Sequence, residues 1–218
     1  MSLPPFPHTF ISIEGNIGAG KTTLSKMLAK DFDTRLILEQ FTDNPFLPLF
    51  YDNPDRYAFP VELFFMTERY KQLQTDLSQQ QLFQEKTVAD YFFMKTLLFA
   101  RNNLNEQEFR LFQQVFNILN DSFPKPDLLV YLHRPIPQLI KNIKKRARSF
   151  EADISIAYLE SLQQAYFNFF KSPIQIPILI IDLDDCDFIE SKKHYQSIID
   201  LISIKYETGI HRVFLKNR

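Results

Sequence analysis

The sequence has little of several features that commonly define a protein's class. It contains one cysteine, Cys186, among 218 residues, which excludes a disulfide framework and a cysteine-rich metal site. No apolar run approaches the ~20 residues of a membrane-spanning helix. The net charge is −1, so neither nucleic acid nor a membrane surface is expected as a partner. The single cysteine therefore suits a protein of the reducing cytoplasm.

Apolar segments alternate with helical patterns along the chain. Hydrophobic residues make up 45% of the sequence, including 23 phenylalanines and no tryptophan, so one α/β domain can bury a full core. This alternation predicts a doubly wound parallel sheet flanked by helices. Five strands are predicted, at 10–13, 35–39, 85–90, 127–132 and 178–183. Helices are predicted to begin at residue 22 and to cover 56–74, 92–101, 106–119, 137–146, 156–170 and 188–205.

Residues 10–24 contain a predicted strand, a glycine-rich loop and a helical pattern, in that order. The loop fits G-x-x-x-x-G-K-[ST], in which main-chain N–H groups and a helix N-terminus surround phosphate oxygens. Lys21 is expected to reach the β- and γ-phosphates, and the Thr22 hydroxyl to help hold Mg²⁺. A glycine turn between two packed elements is the alternative. The predicted nucleotide-binding residues are Gly15, Asn16, Ile17, Gly18, Ala19, Gly20, Lys21, Thr22 and Thr23.

Two acidic residues end predicted strands. Glu39 follows the second strand and Asp90 ends the third. Because the carboxyl ends of parallel strands meet at one edge of a sheet, both carboxylates are expected near the bound phosphates. Glu39 could instead cap a neighbouring helix.

A basic turn separates two predicted helices. Planar guanidinium groups bind phosphate oxygens in a bidentate manner, so this turn is a candidate for contacts with a nucleotide. A solvated helix end, favoured by the helix dipole, is the alternative. The cations of the turn are Lys141, Lys144, Lys145, Arg146 and Arg148.

Four pieces of sequence accompany the glycine loop in a fixed order. They are Glu39, residues 51–69 (YDNPDRYAFPVELFFMTER), residues 88–91 (VADY), and Arg146-Ala147-Arg148 leading to Glu151 and residues 158–160 (YLE). With them the sequence resembles the deoxynucleoside kinases, most of all the bacterial deoxyguanosine and deoxyadenosine kinases. The resemblance covers nearly the whole chain. It implies a P-loop kinase fold in a single domain over 1–218, with a lid at about 142–153 between two helices.

The resemblance also implies an activity and its requirements. The expected reaction is ATP-dependent phosphorylation of the 5′-hydroxyl of a deoxynucleoside in nucleotide salvage, with Mg²⁺ as cofactor and a homodimer as the working form. Two alternatives stay open. One is a thymidylate-type nucleoside monophosphate kinase, which would need a basic pocket for the acceptor phosphate. The other is a non-catalytic scaffold subunit that has kept the fold but lost Lys21, Glu39 or the lid arginines, all of which this sequence retains.

Individual residues take their expected roles from the same resemblance. Glu39 matches the general base, and together with Lys21 and the lid residues Arg146 and Arg148 it forms the expected catalytic set. Residues expected to bind the nucleoside are Glu39, Tyr51 and Glu151 at the sugar, Glu62 and Arg69 at the base, and Asp90 nearby. Thr22 and Asp90 are the expected contacts of Mg²⁺.

The sequence departs from the family pattern at two arginines. Many relatives carry an arginine directly after the acid of the third strand, where this chain has Tyr91. Lys95, one helical turn further on, is a candidate replacement. An earlier lid arginine of many relatives is Asn142 here, and Lys141 is a candidate to compensate.

The residue at position 62 bears on the choice of base. Many relatives have glutamine there, whereas an ionised Glu62 can only accept hydrogen bonds. Guanine offers two adjacent donors, N1–H and the N2 amino group. We therefore expect deoxyguanosine as the best substrate, deoxyadenosine second and a pyrimidine third. A protonated Glu62 would behave like glutamine and remove this preference.

Overall fold

The computed structural model describes residues 7–39, 44–78, 86–120, 123–148, 151, 154–172 and 175–215. Its strands are β1 (Phe10–Gly15), β2 (Arg35–Ile37), β3 (Thr87–Ala89), β4 (Leu128–His133), β5 (Pro177–Asp182) and β6 (Gly209–Phe214). Its helices are α1 (Lys21–Asp31), α2 (Leu47–Asp52), α3 (Pro54–Ser78), α4 (Lys95–Asn103), α5 (Glu106–Asn120), α6 (Ile136–Arg146), α7 (Ile156–Phe170) and α8 (Lys192–Ile202).

The strands form one sheet in the order β2-β3-β1-β4-β5-β6, and every neighbouring pair is parallel. The central strands are nearly continuous runs of Ile, Leu and Val, as expected where helices cover both faces. Successive side chains of a strand point to opposite faces of the sheet. In β4, Val130 packs in one apolar cluster with α1, α6 and α8, whereas Leu129 packs in another with α4 and α7.

The sixth strand was not predicted, so the expected five-stranded sheet is wrong in its strand number. β6 lies at the edge of the sheet and pairs only with β5. Its residues alternate between intermediate and exposed, and the strand includes the polar pair His211 and Arg212. A half-exposed edge strand lacks the buried apolar run by which the other strands were predicted. Arg212 attaches it to β5 through bonds of 2.7 and 2.8 Å to the Asp182 carboxylate.

Two helices also differ from the prediction. The short helix α2 lies outside the predicted helices. α3 begins at Pro54, where proline is well tolerated, two residues before the predicted start at residue 56, so Pro60 lies inside the helix. Pro60 cannot donate the main-chain hydrogen bond of a helix interior. The predicted start of the third strand at residue 85, and positions 149, 150, 152 and 153 of the predicted lid, lie outside the described residues.

The parallel arrangement brings the carboxyl ends of the strands to one edge. The glycine loop follows β1, Glu39 follows β2, Asp90 follows β3, and Arg134 follows β4. All four segments line one cavity, as expected for the carboxyl edge of an open α/β sheet. Within the described part of the chain, no helix is both long enough and apolar enough to cross a membrane.

Candidate active site

A cavity of about 730 Å³ opens at this edge of the sheet. The glycine loop and the segment 185–189 line it, together with residues of α2, α3, α4, α6 and α7. Its size lies within the range of ligand-binding pockets. Most of the polar side chains that the sequence predicted for the site line the cavity: Lys21, Thr22, Thr23, Glu39, Tyr51, Glu62, Arg69, Asp90, Arg146, Arg148 and Glu151. The predicted residues Gly15 and Asn16 do not line it, and the buried Asn16 amide donates instead to the Leu159 carbonyl oxygen.

The glycine loop has the backbone that its motif requires. Gly18 and Gly20 have φ values of 80° and 100°, which favour glycine. A Cβ atom on Gly18 would lie 2.8 Å from the Leu139 carbonyl oxygen. Lys21 Nζ donates to the carbonyl oxygens of Gly15 and Asn16, at 2.8 and 3.0 Å. The lysine therefore lies inside the loop, where a phosphate chain would bind.

Burial and the nearby charge of Lys95 lower the pKa of Lys21 to about 8. Both effects disfavour the charged ammonium. An anion bound in the loop would raise this pKa and offset the burial.

Thr22 and Asp90 are joined directly. The Thr22 hydroxyl donates to Asp90 Oδ2 at 2.5 Å, and the main-chain N–H of Glu39 donates to Asp90 Oδ1 at 2.7 Å. Hydroxyl and carboxylate oxygens are the hard donors that Mg²⁺ prefers, so this pair fits the ion. Within the described ranges no group of three or more His, Cys, Asp or Glu residues could hold a metal. Mg²⁺ commonly takes its other ligands from substrate phosphates and water.

Glu39 forms ion pairs with two cations. Arg69 donates to Glu39 Oε1 from Nε at 2.9 Å and from Nη2 at 2.5 Å, and Lys95 Nζ donates to Oε2 at 2.7 Å. Burial favours the neutral acid, but the charges of Lys95 and Arg69 outweigh it and hold the pKa of Glu39 well below its ordinary value. The carboxylate is thus ionised, which is the form able to accept a proton.

The partner of Arg69 differs from the sequence-based expectation. The resemblance placed Arg69 with Glu62 at the base, but its guanidinium binds Glu39 and the Thr96 hydroxyl, the latter at 2.9 Å. The position of Arg69 along α3 does not show that the end of β2 brings the Glu39 carboxylate within hydrogen-bond distance. Arg69 lines the same cavity as Glu62 and acts on it through charge rather than through a hydrogen bond.

Glu62 has one occupied and one free carboxylate oxygen. Asn103 Nδ2 donates to Oε1 at 2.6 Å, whereas Oε2 is buried and meets no donor among the described residues. Burial raises the pKa of Glu62 to about 7, against the opposing charge of Arg69. A buried oxygen that accepts no hydrogen bond raises the free energy of the folded protein, so this position favours a ligand that donates one.

Aromatic rings and the lid carboxylate surround the cavity beside Glu62. Tyr51 and Tyr158 meet edge to face at 6.4 Å between ring centroids. Glu151, only 5% exposed, accepts from Arg146 Nε at 3.0 Å and from Arg148 Nη1 at 3.4 Å. The two lid arginines are thus paired with Glu151 in this structure.

Two residues donate hydrogen bonds to the glycine loop in ways that the sequence analysis did not predict. Asn142, which occupies the position of the missing lid arginine that Lys141 was the candidate to compensate for, donates to the Gly18 carbonyl oxygen at 2.8 Å. Arg134, not predicted at all, donates to the carbonyl oxygens of Ala19 and Cys186 at 3.2 and 2.9 Å. Its position directly after β4 was the available signal. Asn103 was missed because a helical asparagine carries no motif.

Comparisons with known proteins identify relatives over most of the chain. The profile of the deoxynucleoside kinase family matches residues 11–206. Deoxyguanosine kinase of Bacillus subtilis is 38% identical over 194 residues, which cover 87% of this chain and 93% of the relative. Deoxyadenosine/deoxycytidine kinase of the same organism is 26% identical over 204 residues, covering 90% and 92% of the two chains.

A solved structure confirms the fold. Deoxyadenosine kinase from M. mycoides with bound dCTP superimposes with a TM-score of 0.74 at 25% identity, covering 89% of this chain and 100% of that one. The predicted α/β fold with a helix-flanked parallel sheet is therefore confirmed. Because the family profile spans most of the sequence and the B. subtilis enzyme is similar over nearly its whole length, this chain belongs to the deoxynucleoside kinase family, whose members are phosphotransferases.

Proposed function

We propose that the protein transfers the γ-phosphoryl group of ATP to the 5′-hydroxyl of a purine deoxynucleoside. The observation that carries the proposal is the position of Glu39 between two parts of one cavity. Its main-chain N–H binds Asp90, which in turn binds Thr22 of the glycine loop. Its carboxylate binds Arg69, on the helix that also carries Glu62. The 5′-hydroxyl of a nucleoside bound near Glu62 would thus lie beside Glu39 and face the phosphates of a nucleotide bound at the glycine loop.

Each end of the cavity supplies its own contribution to phosphoryl transfer. The main-chain N–H groups of the glycine loop and Lys21 hold the phosphates of ATP. Thr22 and Asp90 would hold Mg²⁺, which neutralises phosphate charge when bound. The ionised carboxylate of Glu39 accepts the proton of the 5′-hydroxyl.

The nucleoside is held at its sugar and at its base. Tyr51 and Glu151 bind the 3′-hydroxyl, which selects a sugar oriented for attack by its 5′-oxygen. The free oxygen of Glu62 accepts hydrogen bonds from the base, and Asn103 fixes the orientation of that carboxylate. Guanine, with two adjacent donors, satisfies it best, so deoxyguanosine ranks first, deoxyadenosine second and a pyrimidine third.

We also propose that the protein is one kinase domain over 1–218 with a lid at about 142–153, and that it works as a cytoplasmic homodimer. Large apolar side chains on one side of α5 support the dimer: Leu111 is 54% exposed and Ile118 is 76% exposed. Such residues are candidates for burial between subunits, which sedimentation analysis would test.

The experiment that tests the function is ADP release with ATP and Mg²⁺ and each of the four deoxynucleosides, with dTMP as a separate acceptor. We expect turnover with deoxynucleosides and the highest kcat/KM with deoxyguanosine. Turnover with dTMP alone would favour the thymidylate-type kinase. No turnover with any acceptor would favour the non-catalytic scaffold.

Substitution of the lid residue Arg146 tests the donor side of the cavity. Arg146→Ala is expected to raise the KM for ATP about tenfold or more, because a hydrogen bond to a charged group contributes about 1.5–3 kcal/mol. The KM for the deoxynucleoside should change far less. Arg110→Ala, at an exposed arginine of α5, is the matched control. Unchanged ATP kinetics in Arg146→Ala would mean that the basic turn is only a solvated helix end.

A further inference from the structure

Lys95, the candidate replacement for the arginine missing after Asp90, is a buried cation inside the proposed active site. It begins α4, its side chain is only 7% exposed, and Nζ lies 2.7 Å from Glu39 Oε2. Lysine is rarely this buried unless it is paired with an anion, because its ammonium is strongly hydrated in water. The burial of Lys95 beside the proposed general base therefore indicates a chemical role for its charge.

Neutralisation of Glu39 alone does not account for Lys95. Arg69 already binds Glu39 Oε1 from two nitrogens, and its own orientation is fixed by Thr96. One guanidinium is enough to balance one carboxylate. Lys95 thus brings a second positive charge to a carboxylate that already has a partner.

The ammonium of Lys95 is also free to change partners. It has three N–H donors, and among the described residues Glu39 is the side chain that accepts a hydrogen bond from it. Nζ also lies 5.3 Å from the centroid of the Phe99 ring. A flexible lysine held by one carboxylate oxygen can turn toward a new anion without breaking a larger network.

Lys95 lies close to where phosphoryl transfer would occur. A hydroxyl that gives its proton to Glu39 must lie about 2.6–3.2 Å from that carboxylate. The phosphoryl group bonds to that same hydroxyl oxygen, so its own oxygens come near Nζ. Lys95 is also close enough to Lys21 of the glycine loop for its charge to lower the pKa of that lysine.

We propose that Lys95 is a catalytic residue that donates to an oxygen of the phosphoryl group in transfer, and this inference rests on the proposed function. In the step, the O5′–H proton passes to Glu39 and a bond forms between O5′ and the γ-phosphorus. The bond from that phosphorus to the bridging oxygen breaks, and ADP leaves with the electron pair. As Glu39 becomes neutral it releases Lys95, whose charge then stabilises the phosphoryl oxygens.

The kinetic test compares Lys95→Met, Lys95→Gln and Lys95→Arg with the wild type. We expect kcat to fall about 10²-fold or more in the Met and Gln variants, while the KM for deoxyguanosine stays within about threefold. Lys95→Arg keeps the charge and should recover part of kcat. Lys26→Met, at an exposed lysine of α1, is the matched control and should retain wild-type rates.

A binding test separates contact with phosphate from a merely structural role. Calorimetric titration of Lys95→Met with dGMP should show affinity about tenfold or more below that of the wild type, with affinity for deoxyguanosine within about threefold. Equal losses for both ligands, or a normal kcat in the Met and Gln variants of an active enzyme, would overturn the assignment of Lys95. A wild type that phosphorylates no deoxynucleoside would instead overturn the proposed function, and the assignment with it.

Discussion

Replacement of Glu39 by glutamine is expected to lower kcat by about 10²-fold or more, with a far smaller change in deoxynucleoside affinity. Glutamine preserves the size of the side chain and its capacity for hydrogen bonding but cannot take the proton of the 5′-hydroxyl. It also removes the negative charge that lies between Arg69 and Lys95, at 2.5 and 2.7 Å. Steady-state rates of ADP release with deoxyguanosine as acceptor measure the effect.

The loss in Glu39→Gln must be separated from damage to the fold. Unpairing two cations destabilises the site, so thermal unfolding and calorimetric binding of deoxyguanosine should accompany the kinetics. Glu68→Gln is the matched control, because Glu68 lies on α3 next to Arg69 but pairs with the exposed Lys71. Retention of more than about a third of kcat in Glu39→Gln would mean that Glu39 is not the general base.

Glu62→Gln is expected to change which base is preferred. The substitution should lower kcat/KM for deoxyguanosine and raise the relative use of deoxyadenosine or deoxycytidine. A shift of about tenfold or more in the ratio follows from a mismatched hydrogen bond of about 1–3 kcal/mol. The measurement is kcat/KM for all four deoxynucleosides in both proteins. An unchanged ranking would show that Glu62 does not read the base.

The pH dependence of the same ratio provides an independent test. With a pKa of about 7, Glu62 is mainly protonated below that pH and mainly ionised above it. The preference for deoxyguanosine over deoxyadenosine should therefore rise roughly tenfold from about pH 6 to about pH 8. The groups that act on this carboxyl are Arg69, Asn103, Lys95 and Glu39. The Glu62→Gln variant, which has no such proton to lose, should show a flat ratio.

The sequence predicted the parts of the site that follow strands. Lys21 and Thr22 belong to a motif with a fixed backbone, and parallel strands bring Glu39 and Asp90 to the same edge whatever the rest of the chain does. Five of the six strands could be predicted because each contains apolar residues that are at least partly buried and is bounded by turn residues. Local pattern and topology together were therefore enough to outline the phosphate end of the cavity.

The remaining contacts depend on tertiary packing that no local pattern encodes. Arg69 meets Glu39 rather than Glu62 because β2 ends beside α3, which helical spacing cannot show. Asn103 reaches Glu62 across the space between two helices. β6 escaped prediction because an edge strand with polar residues lacks the buried run on which strand prediction depends.

The pairing of Glu151 with both lid arginines has a consequence for how the two substrates influence each other. Arg146 and Arg148 share one carboxylate, which is also the proposed partner of the sugar 3′-hydroxyl. A nucleoside that engages Glu151 loosens its hold on the arginines and frees them for the triphosphate. The two ligands are then positively coupled, and by thermodynamic linkage each raises the affinity of the other by the same factor. We expect deoxyguanosine to bind about fivefold or more tightly beside a non-hydrolysable ATP analogue, and Glu151→Gln to abolish that cooperativity.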